Sequence, residues 1–166
     1  MAQPKDETVV PIGAALLSPT SKTFDIIFHD AVKLVEDTAA YLDGDGRTDS
    51  KRLSQGLAMA YAMESMRLTT QLMAIASWTL LVRGLREGNT KAQEFQKEKG
   101  RSPMQVLQKR NGAPTEGLPK RLRELIAQCD AITVRMQRFD TMLGPNGISM
   151  KEGLSPMTIV RGTRSE

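Results

Sequence analysis

The segment from Met59 to Gly84 constrains the fold most, because it is long, rich in apolar and small residues and free of proline. At about 100° per residue it forms the middle of one long helix. Large apolar residues share one side of this helix, namely Leu53, Leu57, Ala60, Leu68, Ile75, Trp78 and Val82. A second side carries Met59, Met63, Met66, Met73, Leu80 and Leu81. Since a helix that is apolar on several sides must be enclosed, we expect both intrachain helices and a second copy of the protein to cover it.

Length and residue type limit the class of protein. A chain of 166 residues suits one domain with a single core. The apolar run from Leu72 to Val82 is shorter than the roughly 20 residues that a bilayer requires. Residues 1–19 lack a basic leader followed by an apolar segment, and Cys129 is the one cysteine, so no intrachain disulfide can form. We therefore predict a cytoplasmic protein without a membrane span.

Periodicity and helix-breaking residues predict an all-α, antiparallel three-helix bundle with a long central helix. The first helix begins at Ser18 and Pro19, and Gly44 ends it. The second runs from about Asp49 to Glu87. The third begins near Pro119 and ends at Leu143, before Gly144 and Pro145. The expected organisation is a flexible arm over residues 1–18, a bundle domain over 19–143 and a disordered tail over 144–166.

The segments that connect the helices contain residues typical of turns and of helix caps. In the turn DGDGR, from Asp43 to Arg47, two glycines that could take positive φ and two aspartates predict a tight antiparallel reversal. Acidic residues between glycines also resemble part of a calcium-binding EF-hand loop. Counted from Asp43, such a loop needs glutamate at its twelfth position, but Ser54 stands there, which favours a plain turn over a calcium site. Thr90 and Gln93 resemble a capping box, which predicts a short polar helix as far as about Lys99.

Polar residues within the long helix allow two interpretations. Glu64, Arg67 and Gln71 lie along its main apolar side, where they form either a polar layer that fixes register or dimer pairing, or a notch for a partner's side chains. The methionines of the second side are likewise either core and dimer contacts or an adaptable surface for partners. The sequence leaves both alternatives open.

An enzyme is not indicated. Cys129 falls within the apolar stripe of the third helix, and the one histidine, His29, falls on the side of the first helix opposite Phe24. A catalytic cysteine would need a base beside it. Neither a metal cluster nor a phosphate-binding loop is present in the sequence, so we expect no cofactor and no catalytic or metal-binding residue.

The uneven distribution of charged residues suggests a second class of function. Residues 1–50 carry 4 basic and 9 acidic groups, whereas residues 83–123 carry 11 basic and 4 acidic groups. With a sequence pI near 9.4, the basic connector favours either docking to an acidic partner or a basic helical nucleic-acid-binding regulator. Aromatic residues for base stacking are scarce there, and helix-turn-helix spacing is absent, which weighs against nucleic acid.

Two blocks of sequence carry a family resemblance. YLDGDGR from Tyr41 to Arg47, followed by YAMESMRLTTQLMAIASW from Tyr61 to Trp78, resembles the signature of the alphaproteobacterial RcdA family, the regulators of CtrA degradation. A weaker match spans Leu118 to Asp140 in the third helix. The sequence departs from the family pattern at Met63, Gln71 and Gly84. These departures are compatible with the family's fold, but they concern which cargo the protein recognises.

The resemblance implies a homodimeric three-helix bundle in the bacterial cytoplasm that has no enzymatic activity. Such adaptors help to deliver cell-cycle regulators such as CtrA to the ATP-dependent protease ClpXP. A CpdR-like response regulator, a PopA-like cyclic-di-GMP-binding protein and cargo transcription regulators are the implied further partners. The residues we assign to a partner or dimer surface are Asp43, Asp45, Arg47, Met59, Met63, Glu64, Met66, Arg67, Gln71 and Met73.

Overall fold

A computed structural model describes residues 15–18, 21–101 and 115–149. Its helices are α1 (Lys22–Asp43), α2 (Asp45–Lys51), α3 (Gln55–Glu87), α4 (Ala92–Arg101) and α5 (Lys120–Ser149). No strand occurs in these three ranges, so the predicted all-α class is confirmed. With 33 residues, α3 is about 50 Å long and is the predicted long central helix.

The three long helices pack around one core. Asp25 near the start of α1 pairs with Arg86 near the end of α3, and Asp37 in the second half of α1 pairs with Arg121 at the start of α5. Helix α1 is therefore antiparallel to both of the other long helices, and α3 and α5 are parallel to each other. It follows that the connection between α3 and α5 returns the chain along the bundle.

An aromatic cluster joins one residue from each long helix. The ring of Phe24 lies 6.5 Å from that of Trp78 and 6.0 Å from that of Phe139, and Trp78 meets Phe139 edge to face at 5.8 Å. Trp78 Nε1 also donates a hydrogen bond to Asp140 Oδ1 at 3.3 Å. Edge-to-face pairs add to the free energy of area burial, so this cluster fixes one end of the bundle.

The first turn differs from the prediction. Gly44 has φ −107°, not a positive value, and its amide bonds to the carbonyls of Ala40 and Tyr41. Asp45 then begins α2 at once, so α2 separates α1 from α3. The expected continuous helix from Asp49 to Glu87 is interrupted because Ser54 adopts an extended N-cap conformation before α3, a position that serine favours over a helix interior.

The C-terminal boundary of the bundle also differs. Helix α5 continues through Gly144 and Pro145 to Ser149, beyond the predicted end at Leu143. A proline disfavours helix in the residue before it partly through a clash with that residue's Cβ. Glycine has no Cβ, so this part of the clash is absent at Gly144. The remainder of the predicted tail, residues 150–166, lies outside the described residues.

Two short segments complete the core. Leu17, within the arm predicted for residues 1–18, is buried, whereas residues 1–14 of that arm lie outside the described residues. The predicted short helix after Thr90 is confirmed as α4, and its Phe95 is completely buried. Phe95 therefore anchors a helix whose sequence is otherwise polar. No helix in the described ranges is long and apolar enough to span a membrane.

Candidate interaction surface

The outward side of α3 carries large apolar groups in contact with solvent. Met59, Met63, Met66 and Met73 are 65–72% exposed, and Leu80 is 61% exposed. We call the exposed positions from Met59 to Leu80 the methionine face, which comprises Met59, Ala62, Met63, Met66, Thr69, Thr70, Met73, Ser77 and Leu80. None of these nine residues is charged. Helical spacing places them on one side because they recur at intervals of three and four residues.

The hydroxyl groups on this face are already engaged within the helix. Thr69 Oγ1 donates to the Ser65 carbonyl, Thr70 Oγ1 to the Met66 carbonyl and Ser77 Oγ to the Met73 carbonyl, each at 2.9 Å. Such bonds to the carbonyl four residues earlier use the only donor that a hydroxyl has. The methionine face therefore offers a partner thioethers and methyl groups without a free hydrogen-bond donor.

Helix α1 extends the apolar surface sideways. Val35 and Ala39 of α1 face Met73 and Ala76 of α3 around a depression of about 320 Å³. A second depression of about 270 Å³ shares Val35 and Ala76 and adds Val32, Leu80 and their neighbours. Together these form the α1/α3 groove, whose lining is mostly apolar and also includes Asp43 in the first depression and Glu36 in the second. Contiguous exposed apolar patches of this kind are typical of interaction sites.

The predicted polar layer lies on the opposite, inward side of α3. Glu64 is 7% exposed and Gln71 is 8% exposed, whereas Arg67 is half-buried. The Cys129 thiol donates to Gln71 Oε1 at 3.9 Å, a contact between α3 and α5. Gln71 thus contributes to packing within the protomer. The role of these three residues in partner recognition stays a prediction.

Cys129 has the environment of a structural residue. Its side chain is completely buried, and burial, with the nearby charge of Asp130, raises the pKa of the thiol to about 12. The thiolate is the reactive form of cysteine, so this thiol is held unreactive. His29 is exposed on α1, as the sequence predicts.

The turn residues of the family signature build a junction. Arg47 Nη2 pairs with Asp43 Oδ1 at 3.0 Å, but both side chains are more than two-thirds exposed, so the pair contributes little to stability. Asp45 is the first residue of α2 and is exposed. The buried part of the junction is the hydrogen bond from Tyr41 Oη to Asp49 Oδ2 at 3.0 Å. Burial and this bond raise the pKa of Tyr41.

A separate cleft of about 570 Å³ lies where the start of α1 meets the end of α3. The Arg83 guanidinium lies 5.2 Å from the Phe28 ring centroid and bonds to Glu87 Oε1 at 2.7 Å. Arg86 lies over Phe24 and pairs with Asp25, and this bond lowers the pKa of the Asp25 carboxyl. Each arginine is thus balanced by an acid, which makes the cleft a weaker candidate for anion binding than its arginines suggest.

Sequence reasoning found part of the surface. It placed the four methionines and Leu80 together on one side of the helix, and all five are exposed. The structure adds Val35 of α1, which is 37% exposed and lines the α1/α3 groove. Val32 was not identified, although its position one turn from Val35 and Glu36 could have indicated it. Within the described ranges, no group of acidic, histidine or cysteine side chains is arranged to hold a metal.

Comparisons with known proteins agree with these observations. Residues 18–158 match the model of a family described as a protein of unknown function, DUF1465. No curated protein matches significantly. Among solved structures, the crystal structure of RcdA from Caulobacter crescentus CB15 is similar with a TM-score of 0.59 and 38% sequence identity. The match covers 75% of this chain and 93% of that chain. This chain therefore belongs to the DUF1465 family and is an RcdA-like protein.

Proposed function

We propose that this protein is a non-enzymatic adaptor for regulated proteolysis, which helps to deliver CtrA-like cell-cycle regulators to ClpXP. The observation that carries the proposal is a long, charge-free face on an RcdA-like bundle, since such a surface suits protein docking. An adaptor that holds cargo beside a protease raises their effective concentration, by about a hundredfold or more in favourable geometry. No new chemistry is required.

The methionine face is the proposed dimer contact. From Met59 to Leu80 it extends about 32 Å, and with the adjoining part of α1 it is about 20 Å wide. Its projected area of about 600 Å² approaches the roughly 800 Å² per partner of a standard stable interface. The nine positions of the methionine face carry no charge, so two copies of it can meet without repulsion between like charges, while Asp43 and Glu36 line the adjoining groove.

A two-fold arrangement would use the two halves of the surface together. In an antiparallel pairing of two α3 helices centred near Thr70, Met59 and Met63 of one protomer come level with Leu80 and Ser77 of the other. With the two α3 helices crossing at an angle, the Met59–Met63 end of each protomer can lie over the α1/α3 groove of its partner. Residues on one patch that are complementary to another part of the same patch are what a closed two-fold interface requires.

The remaining partners come from the family resemblance. We propose that a CpdR-like response regulator, a PopA-like cyclic-di-GMP-binding protein and the cargo transcription regulators bind to surfaces of the bundle or to residues 150–166. A cytoplasmic location follows from this function. The alternative, a basic nucleic-acid-binding regulator, rests on the basic connector, of which residues 102–114 lie outside the described residues.

Reconstituted proteolysis tests the adaptor function. Purified ClpXP, ATP, a CpdR-like regulator and a CtrA-like cargo are combined with and without this protein, and cargo loss is followed by gel. The account predicts several-fold faster degradation with the protein present, and no change for a substrate that ClpXP degrades without an adaptor. Unchanged cargo loss with all partners present would contradict the proposal, and salt-sensitive binding to duplex DNA would favour the alternative.

A further inference from the structure

Among the described residues, the sulfur atoms are distributed unevenly between surface and core. Four methionines of α3 are at least 65% exposed and all lie on the methionine face. Met136 is completely buried, and Met142 is 46% exposed on α5. Oxidation of methionine follows the accessibility of its thioether. An oxidant in solution would therefore reach the methionine face well before it reached Met136.

We propose that oxidation of Met59, Met63, Met66 and Met73 by a peroxide-class oxidant turns off docking on this face. The inference rests on the proposed function, in which the face is a dimer contact, and it adds a redox-sensitive control of that contact. Oxidation acts on the protomer whose face is uncovered, and it prevents that protomer from pairing again. The paired state protects the same four sulfurs.

The chemical step is a two-electron oxidation. The thioether sulfur attacks one oxygen of hydrogen peroxide, an S–O bond forms and the O–O bond breaks. The sulfur is oxidised to a sulfoxide and the peroxide is reduced: the departing hydroxide takes the proton from the oxygen now bonded to sulfur and leaves as water. The product is polar and can be reduced again by methionine sulfoxide reductases.

The methionine face is poorly equipped to bury a sulfoxide. A sulfoxide oxygen is a hydrogen-bond acceptor, and an acceptor buried without a donor destabilises an interface. The donors on the exposed positions are the hydroxyls of Thr69, Thr70 and Ser77, and each already donates to a carbonyl of its own helix. An identical partner face has the same shortage. Among the described residues, the one unpaired hydroxyl that lines the adjoining groove, Thr38 Oγ1, is buried out of reach of a partner, so oxidation weakens pairing on both sides.

Oxidation leaves the fold of the protomer intact. The four methionines point away from the bundle, whereas the core sulfurs of Met136 and Cys129 are completely buried. The effect is thus confined to association. This separates the proposal from general oxidative damage, which would unfold the bundle.

The test compares the full-length protein with a variant in which Met59, Met63, Met66 and Met73 are all replaced by leucine. Leucine keeps the volume and apolar character and cannot be oxidised. Both proteins are diluted to favour the monomer, treated with hydrogen peroxide and quenched with catalase. Peptide mass spectrometry then measures oxidation at each site, sedimentation velocity measures self-association and circular dichroism measures helicity.

In the unsubstituted protein we expect these four sites to oxidise before Met136, self-association to weaken on the order of tenfold or more and helicity to stay constant. The leucine variant should self-associate equally with and without peroxide. It also controls for methionines elsewhere, which it retains. Reduction by methionine sulfoxide reductases should restore the association of the oxidised protein. Equal oxidation of Met136, or unchanged association after full oxidation of the four sites, would overturn the proposal.

A second measurement tests the redox proposal independently of the proposed dimer. The fluorescent probe bis-ANS binds exposed apolar surface and needs no partner protein. If the untreated protein does not self-associate, the proposed dimer fails, and bis-ANS then decides the redox proposal. Peroxide should reduce probe binding to the unsubstituted protein and leave that of the leucine variant unchanged. Equal probe binding before and after oxidation would refute the switch.

Discussion

Gly46 lies directly beneath the hydroxyl of Tyr61. A Cβ atom at Gly46 would be 2.5 Å from Tyr61 Oη and 2.7 Å from the Tyr41 carbonyl oxygen, and both distances are shorter than van der Waals contact allows. Gly46 therefore joins the two sequence blocks that carry the family resemblance, one at the end of α1 and the other in α3. The glycine is required by this close approach, not by a positive φ.

We predict that Gly46→Ala destabilises the protein by about 1–3 kcal/mol, as overpacking usually does. Urea unfolding followed by circular dichroism measures the change. Gly56→Ala is the matched control, because nothing lies within 4 Å of a Cβ there and the site is in the first turn of α3. This control should be neutral or stabilising by up to about 1 kcal/mol. Equal destabilisation by both substitutions would show that contact with Tyr61 is unimportant.

Alkaline pH should reveal the burial of Cys129. Its pKa rises from a usual 9.0 to about 12 in the folded protein, so above pH 9 the unfolded chain loses this proton first. Below pH 9 the neutral, buried thiol makes its full contribution to the free energy of unfolding. This contribution is lost as the pH rises from 9 towards 12. The lost stability approaches about 1.4 kcal/mol per pH unit within that window.

Urea unfolding of the unsubstituted protein and of Cys129→Ala at about pH 8 and about pH 10 isolates this effect. The alanine variant is less stable at the lower pH because it leaves a small cavity, but its stability should fall less between the two values. Tyrosine and lysine titration is common to both proteins and cancels in the comparison. Parallel losses in the two proteins would argue against a buried neutral thiol.

The attachment of α4 should depend on one side chain. Phe95 is completely buried while its neighbours on α4 are charged or polar. We predict that Phe95→Ala speeds hydrogen exchange across α4 and leaves α3 and α5 protected, because local opening requires less free energy than global unfolding. Gln93→Ala, at an exposed site of the same helix, is the control. Loss of protection in α3 as well would mean that Phe95 supports the whole bundle.

Residues 150–166 are proposed to hold cargo or the protease. Truncation after Ser149 keeps every described helix and should slow cargo degradation in the reconstituted assay, with circular dichroism to check that the bundle still folds. Truncation after Leu143 would also remove the last part of α5. A protein ending at Ser149 that delivers cargo at the full rate would exclude this segment from the mechanism.

The sequence predicts the long helices well because their apolar periods are strong. The stripe containing Leu68, Ile75 and Trp78 is buried, as expected. Breaks and junctions were harder to predict, since a glycine such as Gly44 is compatible with several turn geometries and Gly46 is required by a residue 15 positions away. The burial of Phe95 could not be predicted from periodicity, because α4 has one large apolar residue and therefore no repeating apolar pattern.

The surface could be predicted only in part. Exposure of Met59, Met63, Met66 and Met73 depends on which side of α3 the other helices cover, and the pattern alone allowed either a core or a surface role. Packing of α1 and α5 against the Trp78 side decides this within the protomer. The α1/α3 groove requires two helices in a defined register, which a single helical pattern cannot provide.

Sedimentation equilibrium of the unsubstituted protein, Met66→Arg and Val134→Arg tests most directly whether the methionine face is the dimer contact. Met66 is 72% exposed at the centre of that face, and Val134 is 45% exposed on α5. The account predicts a dimer for the unsubstituted protein and for Val134→Arg. It predicts a monomer for Met66→Arg, because each protomer would then bury an unpaired charge in the contact. A dimer that persists in Met66→Arg would show that the methionine face is not the dimer contact.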